Sequence, residues 1–147
     1  MFSKTISYRN AMLKYVSRDK PFILLASLWL AACGSTVPAQ PDLPASVSPG
    51  WTRTLIEHLP EPPPGVSKDG NPDCWKATYS GPGTATATVC SYKVETSAFE
   101  ALQRTRAEAN TVKFQSGSRF ILIHWTTATR DEIAILIRGV QKALIVK

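Results

Sequence analysis

Apolar and polar residues change rhythm repeatedly along the chain, and each rhythm predicts an element. Pro21 to Ala32 (PFILLASLWLAA) is one uncharged run. Trp51, Leu55 and Leu59 then recur every four residues with Ile56 beside them, a spacing that predicts a short helical turn over Trp51–Leu59. Trp75–Tyr79 and Thr84–Val94 are rich in Thr, Val, Tyr and Trp and flank the turn signal Ser80-Gly81-Pro82-Gly83, so they read as a β-hairpin. Ser97-Ala98-Phe99-Glu100 has the form of a capping box, which predicts a helix from about Ala98 to Ala109 with Phe99, Leu102 and Ala109 on its apolar side. The pattern then recurs. Thr111–Gln115, a Ser116-Gly117-Ser118 turn and Arg119–Thr126 form a second hairpin, and a second capping box at Thr129–Glu132 opens a helix over Arg130–Ile145. That helix places Ile133, Leu136, Ile137, Val140 and Leu144 on one face.

The order β-β-α-β-β-α predicts an α+β fold, a two-layer sandwich in which a four-stranded antiparallel sheet carries both helices on one side. Arg119–Thr126 is apolar on both faces, Phe120 and Leu122 on one and Ile121, Ile123 and Trp125 on the other, as expected of a central strand. The Trp51–Leu59 segment is the expected cover for its second face. If that face stays open, it marks an interface.

Cysteines sharpen the first hairpin. Cys74 and Cys90 are equidistant from Pro82, so a tight turn there sets them opposite each other at a separation a disulfide can span. Apolar residues sit at odd positions from Trp75 to Val89 but at even ones at Tyr92 and Val94, which predicts a bulge near Cys90. Two buried free thiols are the alternative. A metal or redox role lacks a CxxC spacing or a histidine partner.

The apolar run gains a meaning from what surrounds it. Residues 1–20 carry Lys4, Arg9, Lys14, Arg18 and Lys20 against Asp19, and the run that follows is well short of the roughly 20 residues that cross a bilayer. It ends in Leu30-Ala31-Ala32-Cys33-Gly34, which resembles the lipobox of bacterial lipoproteins. The resemblance covers residues 1–33 only. It implies that 1–32 is a signal peptide, started at Met1 or at Met12, and that Cys33 is lipidated and heads the mature chain. It also implies a lipid anchor facing the periplasm or exterior, and Gly34 at the next position resembles cargo forwarded to the outer membrane of a diderm host.

Composition then fixes the domain plan. Nine of the 11 prolines lie between Gly34 and Pro72, so residues 33–72 read as an extended tether with a docking segment at 51–59, and 73–147 as the small α+β domain. Pro62-Pro63-Pro64 as a polyproline ligand is the alternative reading of that stretch. The chain's net charge of +6 over 147 residues would suggest nucleic acid, but residues 1–32 hold five basic and one acidic residue. The mature chain retains 12 basic and 10 acidic residues, so a nucleic-acid partner is not expected.

Chemistry is sparse. No P-loop, GxSxG, HExxH or nucleotide fingerprint occurs, and neither a cofactor nor a metal is implied. The favoured reading is a membrane-anchored envelope lipoprotein with a non-catalytic binding or structural module. It would contact an envelope protein or cell-wall component through a face around Trp125, Tyr79 and Trp75. The alternative is a small envelope enzyme or metal-binding accessory using His124 and His58.

Overall fold

The computed structural model describes residues 39–106 and 108–145; the leader, including Cys33, lies outside the described residues. The elements run β1 (Ser46–Val47), β2 (Trp51–Leu59), β3 (Asp73–Ser80), β4 (Thr84–Ser91), α1 (Glu95–Arg104), β5 (Thr111–Ser116), β6 (Arg119–Thr126) and α2 (Arg130–Ile145). All strand pairs are antiparallel, in the order β1-β2-β3-β4-β6-β5. The sheet is therefore a six-stranded, curled half-barrel and not the four-stranded sheet of a two-layer sandwich.

The first added strand is β2. Its four-residue spacing reads as helix, but a bulge between Arg53 and Leu55 inserts one residue into the strand. After such an insertion the face that held odd positions holds even ones, so Trp51 and Arg53 share a face with Ile56 and His58. Leu55 falls on the other face and is 51% exposed. β2 pairs with β3 from Thr52·Ser80 to Leu59·Cys74.

The helices depart from expectation in a second way: they lie on opposite faces. Cross-strand partners share a face, so Ala77, Tyr79, Ala85, Ala87, Val89, Ile121 and Ile123 form one surface, which packs on Ile133, Leu136, Val140 and Leu144 of α2. The alternate positions Cys74, Cys90 and Phe120 pack on Ala98 and Ala101 of α1. Both faces of β6 are thus covered, as its composition requires, with helices as the covers.

This arrangement removes the bulge expected near Cys90. β3 and β4 stay in one register from Asp73·Ser91 to Ser80·Thr84, with Cys74 directly opposite Cys90. The apolar residues change parity because the chain passes from a level where only the α2 face is buried to one where α1 buries the other.

Cap chemistry explains the helix ends. Thr129 forms the expected box: its amide donates to the Glu132 carboxylate at 2.8 Å and its hydroxyl at 2.7 Å, which holds the Glu132 carboxyl below its ordinary range. Ser97 does not cap α1. The helix begins three residues earlier than expected, at Glu95, with Val94 as N-cap and no side-chain cap bond. It ends at Arg104, where Thr105 turns its hydroxyl onto the Ala101 carbonyl at 2.7 Å. The helix turns Ala98 and Ala101, not Phe99, inward, and Phe99 is 52% exposed. Small residues let it approach the cysteine pair closely.

The proline-rich stretch is largely part of this body. Leu43, Val47 and Trp51 are buried in the α2 core and Val66 in the α1 core. The Tyr79 hydroxyl donates to Pro44 O at 3.0 Å, and the Tyr92 hydroxyl to Ser67 O at 2.9 Å. A cis Ser48–Pro49 bond lies in the turn between β1 and β2.

Candidate functional site

Trp75, Tyr79 and Trp125 do share one face of the sheet, with Tyr79 and Trp125 both paired to Ala85. That face is the one α2 covers. Tyr79 is fully buried and Trp75 and Trp125 are half-buried, so the three do not form an open contact surface. Burial pushes the Tyr79 hydroxyl up to about 12, against the opposing pull of the Arg53 charge.

His58 and His124 are not brought together. His58 pairs with Trp75 and points to the α2 face, whereas His124 pairs with Thr86 and Thr111 on the other. Three inter-strand steps separate β2 from β6, about 14 Å along the sheet. No single ion or substrate atom can bridge them, and no metal-binding group of three ligand residues occurs among the described residues.

Each histidine has its own surroundings. His58 Nε2 lies 2.7 Å from Asp73 Oδ1, and its ring meets Trp75 edge-on with centroids 5.2 Å apart. Trp75 Nε1 donates to the other Asp73 oxygen at 3.2 Å. Asp73 is therefore engaged on both oxygens and braces two neighbouring side chains. His124 is exposed in a row running Leu55, Thr78, Thr86, His124, Thr111 across five strands, on the half of that face beyond α1.

Cys74 and Cys90 form a disulfide, with Cα atoms 4.1 Å apart, against Phe120 and the alanines of α1. No protein-family model, curated protein or solved structure matches the chain.

One concave feature among the described residues is not announced by the sequence. It is a groove of about 870 Å³ between the arm Asp42–Ser48 and α2, lined also by Arg53, Gly139 and Lys142. The arm follows α2 closely: Val47 packs on Gly139, and Trp51 Nε1 donates to Glu132 O at 3.0 Å. Arg53 holds the arm at its other side, its amide donating to Ala45 O and its guanidinium to Leu43 O. Arg53 and Lys142 against Asp42 give this groove a net positive lining, which suits an acidic group. The available sequence signal was Gly139, because a glycine inside an otherwise strong helix marks a close approach.

Proposed function

We propose that the chain is a lipid-anchored envelope lipoprotein whose folded unit is a non-catalytic binding or structural module. The observation that carries this reading is the Cys74–Cys90 disulfide. Disulfides persist in exported proteins, and of the chain's three cysteines this pairing leaves Cys33, the residue at the lipobox position, outside the bond. Lipid chains on Cys33 would hold the protein without a membrane-spanning segment, and no described helix is long and apolar enough to cross a bilayer.

The fold shortens the leash. The packed body begins at Pro41, eight residues after Cys33, a span of at most about 29 Å when fully extended. The binding surface thus works beside its membrane, and the arm–α2 groove, which includes the first packed residues, is the surface nearest the anchor along the chain. The partner is an envelope protein or a cell-wall component within that reach.

Acyl labelling of the wild-type chain and of Cys33→Ala tests the anchor: label is expected only in the former, and equal label in both defeats the reading. A photo-reactive residue at Ser46 in the groove, compared with one at His124 on the opposite face, tests the module in intact envelopes. Adducts to one discrete partner from Ser46 and none from His124 are expected; no adduct from Ser46 removes the groove as the contact.

A further inference from the structure

The two edges of the sheet differ, and the difference points to a partner. β1 is two residues long, is followed by Ser48-Pro49, and closes its edge in the manner of a guarded strand. β5 has six residues, pairs with β6 without a bulge and contains no proline. Its one charge does not guard it either: Lys113 Nζ donates to the Leu102 and Thr105 carbonyls at the end of α1. Phe99 stands 52% exposed near this edge and lines a cleft beside it with Glu95 and Gln115.

The outward groups can be assigned. Trp125 N donates to Asn110 O, which makes Asn110·Trp125 a hydrogen-bonded pair. Alternation along the ladder then turns the amides and carbonyls of Val112, Phe114 and Ser116 toward β6, and those of Thr111, Lys113 and Gln115 outward. Among the described residues no main-chain group pairs with these outward ones.

We propose that β5 pairs antiparallel with β5 of a second copy of this chain, joining two half-barrels into one continuous sheet. A two-fold axis normal to the sheet keeps like faces together, so opposed residues must have the same parity. Centring the axis on Lys113 would set two lysines face to face, which is unfavourable. Centring it on Phe114 sets Phe114 against Phe114 as a close, non-hydrogen-bonded aromatic pair. Lys113 of each copy then meets Gln115 of the other, and the two exchange both main-chain bonds. This register uses the outward groups of Lys113 and Gln115 and opposes no like charges. The same axis leaves both arms on one side of the joined sheet, which suits two chains anchored in one membrane, although the pairing itself needs no anchor.

Oxidative crosslinking of the full-length chain in its membrane reads the register. Phe114→Cys is expected to form a disulfide-linked dimer and Lys113→Cys to stay monomeric. Because Phe114 is half-buried and packs against the α2 core, so that its loss weakens the fold, the wild-type chain in detergent supplies a second measurement. The Lys113 and Gln115 amides should exchange with solvent at least roughly tenfold more slowly at millimolar than at micromolar protein, while the turn amide of Gly117 is unchanged. Light scattering should give twice the monomer mass at the higher concentration. A monomer with concentration-independent exchange, a Lys113→Cys crosslink as strong as that of Phe114→Cys, or capture of a different protein at position 114 would each overturn the proposal.

Discussion

Gly139→Ala asks whether the arm is docked on α2, and the answer lies in a coupling energy. In an ordinary helix interior the change gains about 1 kcal/mol, since alanine is the best helix former and glycine among the worst. Here a Cβ on Gly139 would lie 2.5 Å and 2.6 Å from the two methyls of Val47 and 3.1 Å from its Cβ. Valine has no flexible end to swing away, being branched at Cβ, so the arm or the helix must shift. Overpacking of this kind costs about 1–3 kcal/mol. The two effects oppose each other, and the single variant should range from near neutral to about 2 kcal/mol less stable. Val47→Ala removes the two close methyls at a cost of about 2 kcal/mol for the lost burial. In that background the remaining 3.1 Å contact needs only a small adjustment, and Gly139→Ala should become stabilising. The effect of Gly139→Ala should therefore differ between the two backgrounds by about 1–3 kcal/mol. Urea unfolding of the four full-length variants, followed by tryptophan fluorescence, measures it. A helix gain of equal size in both backgrounds would mean that residues 43–47 do not pack on α2, and the groove would go with them.

Two further outcomes follow from the buried polar and covalent links. The Tyr79 hydroxyl titrates at about 12 in the fold against an ordinary 10.0, so the folded state holds its proton longer. The resulting stability, about 2.7 kcal/mol as an upper figure, is fully present below pH 10 and is lost as pH rises from there to about 12. Tyr79→Phe should lose about 1 kcal/mol at neutral pH, with Pro44 O left without its donor, and should flatten that alkaline loss. Urea midpoints of both proteins at about pH 9 and pH 11.5 check this, and parallel alkaline losses refute it. Replacing Cys74 and Cys90 together by Ala should lower stability by about 3 kcal/mol for a link spanning 16 residues. Unchanged urea midpoints with and without the pair would refute that figure.

Legibility divided along physical lines. β6 and α2 match the sequence reading at both ends, because a strand apolar on two faces and an amphipathic helix with a proper Thr129 box carry their signals locally. The first hairpin is legible for the same reason, down to Cys74 opposite Cys90. β2 was not legible, since a one-residue bulge converts an alternating strand into a four-residue spacing that imitates a helix. α1 shows the weaker side of capping arguments: Ser97 and Glu100 have the right spacing, yet the helix extends past them to Glu95, with Val94 as an N-cap that makes no side-chain bond. The candidate face failed for a tertiary reason. Trp75, Tyr79 and Trp125 are aligned as expected, and nothing within β3 or β6 states that the α2 core closes over Tyr79 and Trp125.

The prolines misled in an instructive way, because proline excludes central strands without excluding a packed arm. Pro41 is buried, Pro44 offers its carbonyl to Tyr79, and Pro49 shapes the turn into β2. Each sits where no ladder amide is required, at the edge of the sheet or outside it. Their concentration on the β1 side has a consequence for association. That edge is closed by the arm and its turn, which leaves β5 as the edge able to accept a strand. If Cys33 carries the proposed lipid, a leash of eight residues would bring two copies together in the plane of the membrane at a high effective concentration. An edge pairing too weak to persist in dilute solution could then be populated on the membrane, so the crosslink from Phe114→Cys should be stronger in membranes than from the same chain diluted in detergent.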